Sequence, residues 1–300
     1  MTFSVADWLI DIQFVGKDDK EAMALIPSFA AFVADKEEAG EKQKLFSLTV
    51  DNSLRPVPKA ERQRIRVFDT GNGDTVVDRL PDGGYQYIIR DVYNNDCSLL
   101  ICNADFSVCR CALAGTYDMK RFGLNNALML VFAFAGSFHD TLLIHASLVR
   151  HEGYGYAFCA KSGTGKSTQV ANWLRTIPNC DLMNDDNPVI RLRDGRPVIY
   201  GSPWSGKTPC YRQVSAPLGA ITQIDRALVN SVDRLRPLEA FGTFLPSCSA
   251  MKWETSVYSR ICDTVTAVVS TTPIYVLHCT AAAESAAVCC KAIKVQDNNK

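Results

Sequence analysis

The chain lacks an excess of either charge. Thirty-two lysines and arginines balance thirty-two aspartates and glutamates across 300 residues. That balance leaves no electrostatic footprint for DNA or RNA, and no polybasic run marks a membrane surface. A long apolar run is also missing. The longest, Ala127 to Phe138, is too short to span a bilayer and contains Gly136 and Ser137, so a buried helix is expected there. The opening MTFSVADWLIDIQFVGKDD has no basic segment and no small-residue cleavage site, and no secretory signal is expected. No CxxC pair occurs among the twelve cysteines, and no set of zinc-ligand pairs can be assembled. Most of these cysteines, such as Cys97, Cys102, Cys159, Cys262 and Cys279, sit in apolar runs. That placement points to reduced, buried thiols and a cytoplasmic location. No internal repeat or low-complexity tract breaks the chain. What remains is 47% hydrophobic and 21% charged, the balance of a globular protein long enough to bury a sizeable core.

The first 117 residues read as a β-rich region. Ser4–Phe14 and Lys44–Val50 are apolar enough to pair as strands, with a helix over Glu21–Ala34 broken at Pro27. Arg55–Arg66, with two prolines and four arginines, reads as an exposed loop. Beyond it, GNGD at Gly71, PDGG at Pro81 and NND at Asn94 punctuate Thr75–Leu80, Tyr85–Val92, Cys97–Cys102 and Ser107–Leu113. This is the pattern of an antiparallel meander. From Asp118 the period changes. Leu124, Leu128, Val131, Phe132 and Ala135 share a helical face, with Asp118 as the expected cap. A second domain is therefore expected over 118–300. It begins with that helix and continues with strands at Leu142–Arg150 and Tyr154–Cys159, a helix at Ser167–Arg175 and a strand at Asp181–Met183. A hairpin over Val189–Leu192 and Pro197–Tyr200 follows, then strands at Val214–Asp225 and Pro273–Cys279 and helices at Leu238–Leu245 and Ala281–Ile293.

Between the Tyr154–Cys159 strand and the Ser167 helix lies Ala160-Lys161-Ser162-Gly163-Thr164-Gly165-Lys166-Ser167-Thr168. The phosphate-loop pattern G-x-x-x-x-G-K-[ST] is matched at every position but the first, where alanine replaces glycine. Gly163 and Gly165 let backbone N–H groups turn toward phosphate oxygens, and the helix dipole points at the same anion. Lys166 is placed for the β- and γ-phosphates of ATP, and the Ser167 hydroxyl for Mg2+.

Asn184-Asp185-Asp186-Asn187 ends the next strand, with Asp185 nineteen residues beyond Lys166. By itself this is a turn sequence. So close behind a phosphate loop, its adjacent carboxylates suit two tasks, one holding magnesium and the other accepting a proton from an attacking hydroxyl. His145 stands on the strand before the loop, where a histidine is either a satisfied core residue or part of the site. Lys207, in the loop Gly201-Ser202-Pro203-Trp204-Ser205-Gly206-Lys207, is a candidate contact for phosphate or substrate, or a solvated lysine with Trp204 as a core lid. Arg191 and Arg212 are candidate phosphate partners by proximity in sequence, or surface arginines.

SGTGKS, the helix, NDD and the upstream IHAS together resemble the catalytic domain of HPr kinase/phosphorylase, in the phosphoenolpyruvate carboxykinase-like group. The motifs cover about residues 140–210. The resemblance implies a mixed or antiparallel α/β sheet carrying a P-loop, not a doubly wound parallel sheet. It implies an ATP- and Mg2+-dependent kinase acting on a hydroxyl, such as a serine of a protein or peptide, or on a small molecule. It further implies catalytic roles for Lys166, His145 and Asp185, the last as proton acceptor, and Asp186 as magnesium partner of Ser167. Assembly into homo-oligomers belongs to the same expectation. The N-terminal half does not share the resemblance, and the family's glutamate–arginine signature is missing, which argues against HPr itself as acceptor. A nucleotide sensor or scaffold without transfer, and a reversible kinase/phosphorylase, are the alternatives. Neither nucleic acid nor membrane is expected as a partner.

Overall fold

The computed structural model describes residues 1–161 and 163–295. The chain divides into two compact units, Met1–Phe138 and the segment from His139 onward. Each contains a mixed sheet, and the protein is of the mixed α/β class.

The first unit is built from β1 (Thr2–Val5), β2 (Trp8–Phe14), α1 (Asp19–Leu25), α2 (Lys36–Glu41), β3 (Lys44–Val50), β4 (Gln63–Asp69), β5 (Asp74–Arg79), β6 (Tyr85–Arg90), β7 (Asp96–Cys102), β8 (Val108–Leu113) and α3 (Tyr117–Ser137). Its eight strands lie in the order β1-β2-β3-β8-β7-β6-β5-β4. The expected meander holds from β5 to β8, and β4 extends it, with every pairing antiparallel. The runs expected to pair at the other end do so as β2 and β3, but the β2–β3 and β3–β8 pairings are parallel. The Ser4–Phe14 run is two strands, because Ala6 and Asp7 both take positive φ and close a two-residue hairpin. The expected loop at Arg55–Arg66 ends at Arg62, after which edge strand β4 begins; Arg62 just before the strand and Arg64 within it both bind the buried Asp78 carboxylate. The long helix α3 buries the five expected face residues. Its cap is Thr116, whose hydroxyl accepts from Met119 N at 3.4 Å, and not Asp118. Asp118 instead lies in the first turn, where its charge favours the helix dipole. The helix packs on β7, β3 and β8, within the first unit, although the sequence pattern grouped it with the second region.

The second unit contains β9 (Thr141–Leu143), β10 (Ser147–His151), β11 (Tyr154–Cys159), α4 (Lys166–Thr176), β12 (Cys180–Asn184), β13 (Val189–Arg193), β14 (Arg196–Tyr200), β15 (Ser215–Arg226), β16 (Ser231–Arg234), α5 (Pro237–Phe244), α6 (Thr255–Thr271), β17 (Ile274–Cys279) and α7 (Glu284–Ile293). These strands form a curled half-barrel in the order β12-β10-β11-β15-β14-β13-β9, with β17 on β15 and β16 on β17. The pairings β11–β15 and β15–β17 are parallel and most others antiparallel. The twelve-residue β15 serves as the spine: its first residues pair with β14 and its later ones with β11 and β17. Trp173 of α4 is fully buried against Tyr156 and Phe158 of β11, with ring centroids 5.6 and 5.4 Å away. This aromatic cluster, joined by Cys289 and Ile293 of α7, anchors α4 on the sheet. All twelve cysteines are free, and ten are buried. Among the described residues, no helix is long and apolar enough to cross a membrane.

The expected strand Leu142–Arg150 is broken, and the break matters for the site. Three residues, Ile144 to Ala146, separate β9 from β10. His145 N donates to Ser247 O at 2.7 Å, while Ala146 N donates to Asp186 O at 2.9 Å. The break thus lies between the 247 turn and the acidic segment.

Candidate active site

The loop between β11 and α4 begins at Ala160. This residue is not among those with positive φ, so the missing glycine costs no backbone strain there. Gly163 and Gly165 do need their freedom, at φ +76° and +132°. Thr164 N donates to Lys161 O at 3.1 Å and tightens the turn. Gly165 caps α4 without any side-chain bond, which leaves the first N–H groups of the helix open to an anion. Ser162 lies outside the described residues.

Lys166 is the first residue of α4. Its Nζ lies 2.7 Å from His145 Nε2 and 3.3 Å from Ala160 O. His145 Nδ1 is in turn 3.1 Å from Asp186 Oδ1. An ammonium can only donate, so Nε2 accepts and Nδ1–H donates to the carboxylate. The three side chains form a directed chain from lysine through imidazole to aspartate. Burial lowers the Lys166 pKa, and the nearby Asp186 carboxylate is the largest influence opposing it.

Asp185 is nearly buried, at 5% exposure. Its Oδ1 accepts from Ser147 Oγ at 3.1 Å and its Oδ2 from Thr208 N at 3.0 Å. The neighbouring Asn184 is fully buried and works as a clamp. Its Oδ1 accepts from Asp186 N and Asn187 N, at 3.0 and 2.9 Å. Its Nδ2 reaches Trp204 O at 3.0 Å and Ser202 Oγ at 3.2 Å. The Gly201–Lys207 loop is thereby pressed onto the aspartates. A Cβ on Gly206 would lie 3.0 Å from Asp185 O and 3.3 Å from Asp186 Cβ. Asn184→Ala removes all of these bonds from a buried position. It is expected to cost about 2–4 kcal/mol of stability, read by thermal or urea unfolding. An unchanged midpoint would show that the clamp is unimportant.

These elements surround one cavity of about 330 Å³, lined by His145, Gly163, Gly165, Lys166, Ser167, Thr168, Asp185, Asp186, Gly206 and Lys207. No protein-family model matches the chain, and no curated protein does.

Of the residues singled out by the sequence, the cavity gathers His145, Lys166, Ser167, Asp185, Asp186 and Lys207. The two arginines are placed elsewhere. Arg191 is a β13 residue paired in register with Val198 and Thr141. Arg212 binds Asp181 at 2.6 Å and also Leu182 O, and Asp181 is shared with Arg150 at 3.0 Å. Burial alone would raise the Asp181 pKa, but the hydrogen bonds and charges of Arg150 and Arg212 outweigh it and the net shift is downward. This stabilisation is present above the ordinary value of 3.8 and is lost as pH falls through the lowered one. Arg212→Leu is therefore expected to reduce stability at pH 7 by about 1 kcal/mol or less, the pair being partly exposed, and to leave any phosphate transfer intact. A collapse of transfer at unchanged stability would instead put Arg212 in the site.

Ser147, Asn184 and Thr208 were not singled out by the sequence. Ser147 follows IHA directly, and Asn184 precedes the aspartates, yet a buried serine or asparagine carries no distinguishing local pattern. For a magnesium ion, the donor set within the cavity is of the right kind: the Ser167 hydroxyl and the carboxylates of Asp185 and Asp186 are hard oxygen ligands. Among the described residues, no group of three His, Cys, Asp or Glu side chains is arranged to hold a metal. This donor set suits an ion that arrives with nucleotide phosphates, because magnesium takes few protein ligands in such sites.

Proposed function

We propose that this chain is a magnesium-dependent phosphotransferase that moves the γ-phosphate of ATP to a hydroxyl, through a P-loop unit of the HPr kinase/phosphorylase type. The observation that carries the reading is the convergence of Lys166, His145, Asp185 and Asp186 on one cavity at the uncapped start of α4. Uncapped helical N–H groups and a lysine make a phosphate site. A buried carboxylate beside it makes a base.

In this reading the loop N–H groups and Lys166 hold the β- and γ-phosphates. Asp185 takes the proton of the acceptor hydroxyl as its oxygen bonds to the γ-phosphorus. The bond from that phosphorus to the β–γ bridging oxygen breaks, and ADP leaves with the electron pair. Magnesium, held by Ser167 and Asp186 together with the phosphates, would neutralise charge on those oxygens. His145 steers Lys166 and Asp186 through its two ring nitrogens. Lys207 stands at the rim for the acceptor or its new phosphate. The acceptor is a protein, peptide or small molecule with a free hydroxyl.

Incubation with γ-labelled ATP, magnesium and host lysate tests the proposal. Transfer of label that depends on Lys166 supports it. Tight ATP binding without label transfer or hydrolysis would replace it with a nucleotide sensor. One observation favours that second reading: both Asp185 oxygens already accept hydrogen bonds from the protein, which occupy part of the carboxylate that an acceptor hydroxyl would need.

A further inference from the structure

A second cavity lies on the other side of the phosphate loop. It has a volume of about 280 Å³, near the lower end for small-molecule sites, and it shares Gly165 and Thr168 with the first. The two differ sharply in chemistry. The first holds the lysines, the histidine and both aspartates. The second has no carboxylate or lysine among its described lining residues. Its walls are apolar (Ile224, Ala227, Ala281), with the hydroxyl residues Thr168 and Thr280 among them.

Two further features point to a ligand. Arg226, at the end of β15, donates from Nε to Thr164 O at 3.0 Å and from Nη2 to Gly163 O. The guanidinium is thus held by its edge, and a planar cation fixed in this way offers its face for stacking. Gln169 of α4 also lines the cavity and is only 2% exposed. One end of its amide meets Ser285 Oγ at 2.8 Å, while the other has no partner among the described residues. An unpaired buried amide group is costly and marks a place where a hydrogen-bonding partner is missing.

We infer that this cavity receives the base of the nucleoside triphosphate, stacked on Arg226, while the phosphates lie along the loop and the γ-phosphate faces the charged cavity. A nucleotide bound at a loop must extend two ways, toward its nucleoside and toward its terminal phosphate. The two cavities supply one apolar, hydrogen-bonding end and one charged end. Arg226 links them, since the residue that stacks on the base also braces the loop carbonyls. Asn172 of α4 fixes the far wall, donating to Ala281 O and Ala282 O at 3.2 and 3.1 Å.

The inference rests on the phosphate-loop reading, and its test separates the two. Calorimetric titration of the full chain compares magnesium ATP with inorganic triphosphate, which has no nucleoside. ATP is expected to bind at least about tenfold more tightly. Ala281→Phe, which fills the cavity from an exposed position, is expected to remove that advantage while triphosphate binding stays within about twofold. Equal binding of ATP and triphosphate by the unaltered chain overturns the base pocket and leaves the phosphate site standing. So does an ATP advantage that survives the phenylalanine. Binding of neither defeats both readings. Ala227→Phe, on a separate segment, repeats the test should Ala281→Phe lose its cooperative thermal transition.

Discussion

Replacing Lys166 with alanine is expected to lower magnesium-dependent phosphoryl transfer from ATP by about a thousandfold or more, with weaker nucleotide binding as well. The size follows from position. Lys166 is half-buried, so its charge is poorly screened, and burial already lowers its pKa. A phosphate beside it would add negative charge next to the ammonium, beyond that of the nearby Asp186. The variant should still fold. Lys166 opens α4, where alanine is at least as good a helix former, and its bonds are to the half-exposed His145 and one carbonyl. A cooperative unfolding transition near that of the parent, together with lost transfer of label, is the expected pair of results. Transfer at the parental rate would remove Lys166 from the chemistry and the P-loop reading with it.

Asp185→Asn carries the second large effect, a loss of about 10²–10⁴ in transfer with ATP affinity changed only a few-fold. The amide can be accommodated without orphaned groups. Its oxygen can keep the bond from Thr208 N, and its NH2 then meets Ser147 Oγ, a hydroxyl able to turn and accept. Geometry is thus nearly preserved while basicity is lost, which separates a proton-accepting role from a structural one. Undiminished transfer would exclude Asp185 as the base. Loss of folding in Asp185→Asn would point to a structural carboxylate, and unfolding curves measured beside the activity distinguish the cases.

Much of the framework was legible because local chemistry decided it. The β5–β8 strands follow from turn residues with special φ preferences between β-rich runs. The α3 face follows from its apolar period. The segment Thr255–Thr271 was not legible as a helix. It is rich in threonine, serine and valine, which have weak helix propensity. Tertiary packing overrides that preference by burying Val257, Ile261, Val265 and Val268 on one face. On α6, Thr264, Thr266, Ser270 and Thr271 hydroxyls return to carbonyls four residues earlier and satisfy themselves within the helix. The parallel pairs in the first sheet were hidden for a different reason, since pairing partners distant in the chain leave no local mark.

The candidate site divides along the same line. The amino-acid sequence by itself determined the loop from Ala160 to Ser167 and the carboxylate pair at Asp185–Asp186, because each is a contiguous run whose chemistry is set by its own residues and their spacing. Only the tertiary structure decided that β10 starts after a break at His145, so that the imidazole lies between Lys166 and Asp186. It alone excluded Arg212 from the cavity by tying it to Asp181. It also brought Arg226 to the loop, sixty-two residues from Thr164 in sequence. The parallel pairing of β11 with β15 places the ends of these two strands side by side, and strand order is a property of long-range packing that neither segment encodes alone.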